Sequence, residues 1–239
     1  IKRINTAAQI LTGFDESEAV GKPLGDILAL IDEQTRTPVQ VPPHFFAFET
    51  LAELQSLNLS VISKHQKKTA VTLIGSEVSD QSGALKGSIL VLKNMTPYND
   101  LQQLVQTRHS LVRYASNHTL DEFLQKVLDD LGDISKSPIG FYHFVNPDQK
   151  TLELQQWSTR TLNEFCSISG KGMHYDIDKA GVWVECVHTR KAVVHNDYKS
   201  LPHKKGLPQN HAEVIRELVV PVIRDGLIVA ILGVGNKSS

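Results

Sequence analysis

Apolar positions along the chain change period several times, and the changes mark its elements. Asn5 precedes a short apolar-periodic run that closes at Gly13, and Asp15 with Glu18 makes a capping box ahead of Gly21, so two short helices are expected. Beyond Lys22-Pro23, the residues Leu24, Ile27, Leu28, Leu30 and Ile31 keep a helical spacing. Thr35 to Pro43 then reads as loop and Phe45 to Leu57 as a further helix. After Leu57 the period falls to two. Residues 59 to 63, 70 to 78 and 85 to 92 read as strands joined by the polar turns His65-Gln66-Lys67 and Asp80-Gln81-Ser82-Gly83. Short helices against a small antiparallel sheet bury an apolar face on each element and leave a pocket between the layers.

From Tyr98 no glycine or proline occurs until Gly132, and Leu101, Leu104, Arg108, Leu111 and Ala115 fall on alternating steps of three and four. That is the spacing of a heptad seam. It serves either a parallel pairing of two copies or packing against the helix's own domain, and the spacing alone allows both. Thr119 with Glu122 forms a capping box for a helix carrying Leu120, Phe123, Leu124, Val127, Leu128 and Leu131 on one face, so a kink is expected at Asn117-His118.

Two hairpins follow. Residues 138 to 145 and 151 to 158 flank Asn146-Pro147-Asp148-Gln149, and residues 218 to 223 and 227 to 234 flank Asp225-Gly226. Between them, residues 159 to 214 form a long section with one expected helix, Lys179 to Arg190, and much irregular chain; long ordered loops tend to carry function. The fold class is α+β, with two antiparallel sheets flanked by helices.

Composition narrows the function. The chain has 239 residues, enough for two ordinary cores, and 25 basic against 26 acidic side chains. A formal charge of -1 argues against a nucleic-acid surface. Two cysteines, Cys166 and Cys186, are too few for a disulfide scaffold and fit a reducing, cytoplasmic setting. The chain begins inside an apolar alternation and stops just after an apolar run, which reads as a piece of a longer protein, membrane-attached or not.

The stretch NTAAQILTGFDESEAVGKPL, with LKGSILVLKNMT at residues 85 to 96, resembles a PAS domain over residues 1–97. The family's first strand is missing, and His65-Gln66 stands where an Asp-Gly turn is common. Residues 98–118 then form a connecting helix. The stretches IGFYHFV, LQQWSTRTL, SGKGMHYDIDKAGVWVECV, VVHNDYKSLPHKKGLP, IRELVVPV and AILGVGNK resemble a GAF domain, closely so over about residues 111 to 236. The GAF domain is assigned to residues 119–239, with the family's closing helix missing. This pair implies the sensory, ligand-sensing and dimerising input region of a bacterial signal-transduction protein, foremost a sensor histidine kinase in a two-component phosphorelay. The input region of a cyclic-dinucleotide synthase or phosphodiesterase is the alternative, as is a dimerisation and signal-relay module without ligand. The implied partners are a second copy through Leu101, Leu104, Leu111 and Ala115, a small-molecule ligand, and an output domain in the same chain.

Six of the ten histidines, both cysteines and both tryptophans lie between residues 143 and 211. On one reading Trp157, Cys166, His174, Trp183, His195, Asn196, Tyr198, His203, His211 and Arg216 line a pocket for a small, partly polar molecule, Arg216 clamping a carboxylate or phosphate. Trp183 and Val187 then share the inward face of the 179–190 helix. On the other reading the tryptophans are core, the histidines bond to backbone, and Arg216 pairs with Glu213 or Glu217.

Sharper chemistry lacks its residues. Cys166 and Cys186 with His174 or His195 would make a zinc set by type, but no C-x-x-C or H-x-x-x-H spacing is present, and nothing local marks His44 or His174 as a haem ligand. No metal site is expected. The first half holds no cysteine for the flavin photoadduct of light-sensing PAS relatives. Cys186-Val187-His188 is not the adjacent Cys-His pair of bilin-binding relatives, and the Asn-Lys-Phe-Asp-Glu motif of cyclic-nucleotide GAF domains is missing. Flavin photoadduct, bilin and cyclic nucleotide are thus disfavoured and the cofactor is unassigned, a small organic ligand being the open class. Gly170-Lys171-Gly172 is no phosphate loop, and no nucleophile elbow accompanies Asp197, His195 and Ser200, so no catalytic residue is expected.

Overall fold

The computed structural model describes residues 1–41, 54–55, 57–165, 174–202 and 213–238. It divides into two compact units, Ile1–Gln102 and Gln103–Ser239.

In the first unit, helix α1 (Thr6–Thr12) begins where Asn5 Oδ1 accepts from the Ala8 amide at 2.9 Å and ends at Gly13, whose φ of 77° suits a residue without a Cβ. Helix α2 (Glu16–Ala19) carries the Asp15/Glu18 capping box. Helix α3 (Leu24–Ile27) is far shorter than the sequence spacing suggested. The chain turns extended at Leu28 (φ −108°, ψ 94°), and strand β1 (Ala29–Asp32) follows. The reason lies in its neighbours. β1 pairs antiparallel on one side with β2 (Pro38–Val39), inside the expected loop, and on the other with β3 (Leu59–Ile62), so its backbone finds partners on both sides. Leu28 and Leu30, read as helical neighbours, also satisfy a period of two, and both are buried.

Strands β4 (Lys68–Ser79) and β5 (Leu85–Asn94) complete a five-stranded antiparallel sheet in the order β2-β1-β3-β4-β5. Leu28, Leu30, Leu54, Leu59, Val61, Val71 and Leu73 form its core. The helix expected at Phe45 to Leu57 falls outside the described residues apart from Leu54, Gln55 and Leu57.

The boundary between the units lies within helix α4 (Thr96–Ala115), none of whose residues is buried. It stops at the expected kink, where the His118 ring stacks on Tyr114 at 3.5 Å and its Nδ1 lies 2.8 Å from the Tyr114 carbonyl. Thr119 then caps helix α5 (Leu120–Ser135) in a reciprocal box with Glu122, and Leu124 and Leu128 are buried.

Among the described residues, the second unit is built on six antiparallel strands. These are β6 (Ile139–Val145), β7 (Thr151–Trp157), β8 (His174–Asp176), β9 (Val193–His195), β10 (Glu217–Arg224) and β11 (Leu227–Gly235), in the order β8-β7-β6-β11-β10-β9. The β10–β11 turn has φ of 50° at Asp225 and 78° at Gly226, the left-handed pair that a two-residue hairpin requires. The Gln149 side chain donates to the Ile228 carbonyl at 2.8 Å and accepts from its amide at 3.0 Å, tying the β6–β7 turn to β11. The three-residue edge strands β8 and β9 escaped the sequence reading because so few residues show no period.

The helix expected from Lys179 to Arg190 is broken. It resolves into the single turns Ile177–Lys179 and Val182–Val184 followed by helix α6 (Glu185–Thr189). Ala180 and Gly181 are extended between them, Gly181 being a poor helix former. The Trp183 ring lies so close to Gly181 that a Cβ there would meet its Cδ1 at 3.0 Å. Val184 and Cys186 are buried with Ile177 in the core, and Trp183 and Val187 pack against it as expected of an inward face. Among the described residues no helix is long and apolar enough to cross a membrane.

Candidate functional site

The inward alternation of β6 places Phe141, His143 and Val145 on one face of the second sheet. On that face four rings form a layer. Phe141 meets His143, Trp183 and Trp157 edge-on at centroid distances of 5.4, 5.6 and 6.1 Å, and His143 lies 4.7 Å from Trp183. Directly beneath Phe141, Gly233 gives the ring its seat, since a Cβ there would stand 2.1 Å from Cζ. Burial pushes the His143 imidazole down to about 3, so at neutral pH it is uncharged.

Beside this layer lies a polar cluster. His195 is the cross-strand partner of Glu217, whose side chain is only 5% exposed. His195 Nδ1 lies 2.8 Å from Glu217 Oε1, and its Nε2 lies 3.2 Å from Glu185 Oε2 at the start of α6. Burial lifts the Glu217 carboxyl above the usual carboxylate range, opposed by the hydrogen bond from His195. Burial also pushes the Cys186 thiol up to about 12 and raises the Tyr198 hydroxyl, with the Glu217 charge adding to both. Tyr198 is itself fixed by donating its amide to the Ile215 carbonyl at 2.8 Å.

A cavity of about 510 Å³ opens beside this cluster, lined by Ile177, Asp178, Ala180, Gly181, Val182, Val184, Glu185, His188, His195, Leu201 and Pro202. Its walls are mostly aliphatic with a few polar groups, the usual make-up of a small-molecule site. A second hollow of about 640 Å³ beside the end of α5 is rimmed by Asp129, Asp133, Lys136, Arg160 and Glu164. There Asp129 already accepts from the Thr159 amide and hydroxyl, each at 2.7 Å.

Of the residues selected from sequence, Trp157 and Trp183 meet in the ring layer, His195 lines the cavity, and Tyr198 is buried beside Glu217. Asn196 is exposed and Arg216 half-buried. One reading of the sequence pairs Arg216 with Glu213 or Glu217; of these, Glu217 is bonded through Oε1 to His195. Cys166, His203 and His211 lie outside the described residues, as does the side chain of His174, whose backbone pairs with Glu153 in β8. Sequence reasoning missed Glu185 and Glu217 and left His143 out of the site. His143 and Glu217 were legible as polar residues at inward positions of alternating strands. Among the described residues no group of three histidine, cysteine, aspartate or glutamate side chains could hold a metal ion.

Sheet order, covering helix and turn-rich crossing section together define the class. The GAF domain family model matches residues 117–239, just over half of the chain, and the chain belongs to that family. The Methyl sulfide methyltransferase-associated sensor of Methanosarcina acetivorans is 37% identical over 120 residues, which is 50% of this chain and 12% of that protein. The chain therefore spans a small part of that relative. Among solved structures, the GAF domain of a phosphoenolpyruvate-protein phosphotransferase from Coxiella burnetii gives a TM-score of 0.50 at 14% identity, covering 59% of this chain and 80% of that one. The corresponding Acinetobacter domain gives 0.46 at 15% identity, covering 58% and 77%. At 14% identity the likeness to the Coxiella domain shows the fold alone.

Proposed function

We propose that this chain is the sensory input region of a signal-transduction protein, with a PAS domain ahead of the GAF domain and a small organic molecule as the signal read by the latter. The observation that carries the reading is the aliphatic-walled cavity beside His195 and Glu185. Similarity to a protein named as a sensor supports the signalling role. For the first unit, support comes from the short helices ahead of a five-stranded antiparallel sheet. The output, a histidine kinase on this reading, lies elsewhere in the whole protein.

Signal relay needs a ligand with different affinity for two packings of the connecting helices; a coupling of about 1–3 kcal/mol is typical. Helix α4 suits that role as a homodimer seam. Leu101 and Leu104 are exposed on it, and Val105 and Val112, also exposed, widen the stripe. The test is a thermal-shift screen of metabolites with native mass spectrometry. Stabilising compounds should lose their effect in His195→Ala and in Val182→Trp, both at residues that line the cavity. Variants that fold and keep full affinity would sink the site assignment.

A second reading, a relay module with no ligand, draws on the ring layer. Phe141, His143, Trp157 and Trp183 fill the space over the centre of the sheet with the chain's own side chains. An interior unresponsive to every metabolite tried would favour it.

A further inference from the structure

His195 offers both ring nitrogens to carboxyl oxygens at once, Nδ1 to Glu217 at 2.8 Å and Nε2 to Glu185 at 3.2 Å. A neutral imidazole has one N–H and one lone pair. Between two ionised carboxylates it can donate to only one, and the other contact would set lone pair against lone pair. Two kinds of proton placement satisfy both contacts. In the first, an imidazolium donates to both carboxylates. In the second, a neutral ring donates to one ionised carboxylate and accepts from the other carboxyl in its protonated form, which can be either Glu217 on Nδ1 or Glu185 on Nε2. Each holds one more proton than a neutral ring between two ionised carboxylates. The burial that raises Glu217 makes the second placement chemically accessible.

The three residues come from different elements: Glu217 from β10, His195 from the edge strand β9, and Glu185 from the start of α6. Glu217 and His195 are already joined by strand pairing, whereas Glu185 reaches them only through its side chain, which is 53% exposed. Loss of the proton therefore releases Glu185 in preference to Glu217. α6 and the turn before it form one wall of the cavity, held by the buried Val184 and Cys186, and Glu185 adds a side-chain tie from that wall to the sheet edge.

We propose that the proton shared by Glu185, His195 and Glu217 is a latch that ties α6 to the sheet edge, so that proton binding regulates the shape of the cavity. This rests on the ligand reading for its consequence but not for its existence. Other groups facing the trio are Cys186 and His188 on α6, Tyr198 in the adjoining turn, and Asp178 on the cavity wall. The thiol and phenol remain neutral at physiological pH.

The test uses the ligand-free chain, labelled with 15N, from pH 5 to 9. Long-range spectra follow the His195 ring nitrogens and amide spectra follow Val184 to Thr189. One proton-release step is expected at His195, with the α6 amides moving at the same midpoint. Glu185→Gln and Glu217→Gln should each lower that midpoint, the buried Glu217 by more than the solvent-screened Glu185, as expected on losing an adjacent opposite charge. A midpoint unmoved by Glu185→Gln, or α6 amides that stay still through the step, would overturn the latch. Glu185 is exposed enough for its variant to fold even where Glu217→Gln does not. No ligand enters the measurement, so a failed latch leaves the cavity reading standing, and a failed metabolite screen leaves the latch standing.

Discussion

Gly233→Ala is the smallest change expected to disturb the ring layer. The added Cβ would stand 2.1, 2.4 and 2.7 Å from Cζ, Cε1 and Cε2 of Phe141, where ordinary carbon contacts are about 3.5–4.0 Å. The ring must retreat by roughly 1–2 Å to restore that spacing. Its way is closed by His143, Trp183 and Trp157 at centroid distances of 5.4, 5.6 and 6.1 Å. Forced repacking of this kind costs about 1–3 kcal/mol. For a unit of this size that lowers the melting temperature by about 3–12 °C. Urea and thermal unfolding of Gly233→Ala, Phe141→Leu and the double variant measure it. The smaller side chain frees space for the methyl group, so the double variant should be less destabilised than the sum of the two single changes. An alanine variant as stable as the parent, or strictly additive costs, would refute the packing argument.

Three further outcomes follow from the same geometry. His143 has its proton affinity depressed by burial, so its contribution is present above the unfolded-state value of about 6.5 and is lost as pH falls toward 3. Relative to His143→Phe, the parent should lose about 1.4 kcal/mol per pH unit below 6.5 in urea denaturation; parallel curves would contradict this. Comparison at each pH also cancels Glu217, whose raised affinity has the opposite sign, its stability falling as pH rises. Leu104→Glu, at an exposed position, should leave monomer unfolding within about 0.5 kcal/mol, and Leu104→Glu and Leu111→Glu should each abolish self-association in ultracentrifugation; unchanged association would remove the seam. Cys186, fully buried and pushed up to about 12, should resist iodoacetamide in the native protein and react once unfolded, as read by peptide mass spectrometry.

Local signals proved the most legible part of the chain. Asn5, the Asp15/Glu18 and Thr119/Glu122 boxes, Gly13 and Asp225-Gly226 act within a few residues, and each stands where the sequence placed it. Errors arose where distant partners decide. Leu28 to Ile31 carry both helical and alternating periods, and only the pairing of β1 with β2 and β3 selects the strand. The break at Ala180-Gly181, by contrast, falls at a glycine, a local signal that the helical spacing around it had outweighed. Within the site, Trp183 and His195 were marked by residue type, whereas Glu185 and Glu217 gain their meaning only when β9, β10 and α6 converge.

On the proposed reading, the cavity beside His195 receives a small molecule. Val182 lines it, and a Val182→Trp variant fills it from one wall. The direct measurement is calorimetry of the best thermal-shift compound against the parent and the filled variant, both checked for unchanged melting. Binding to the parent and its loss in Val182→Trp is the result expected. Equal binding to both would place the ligand elsewhere and contradict the account.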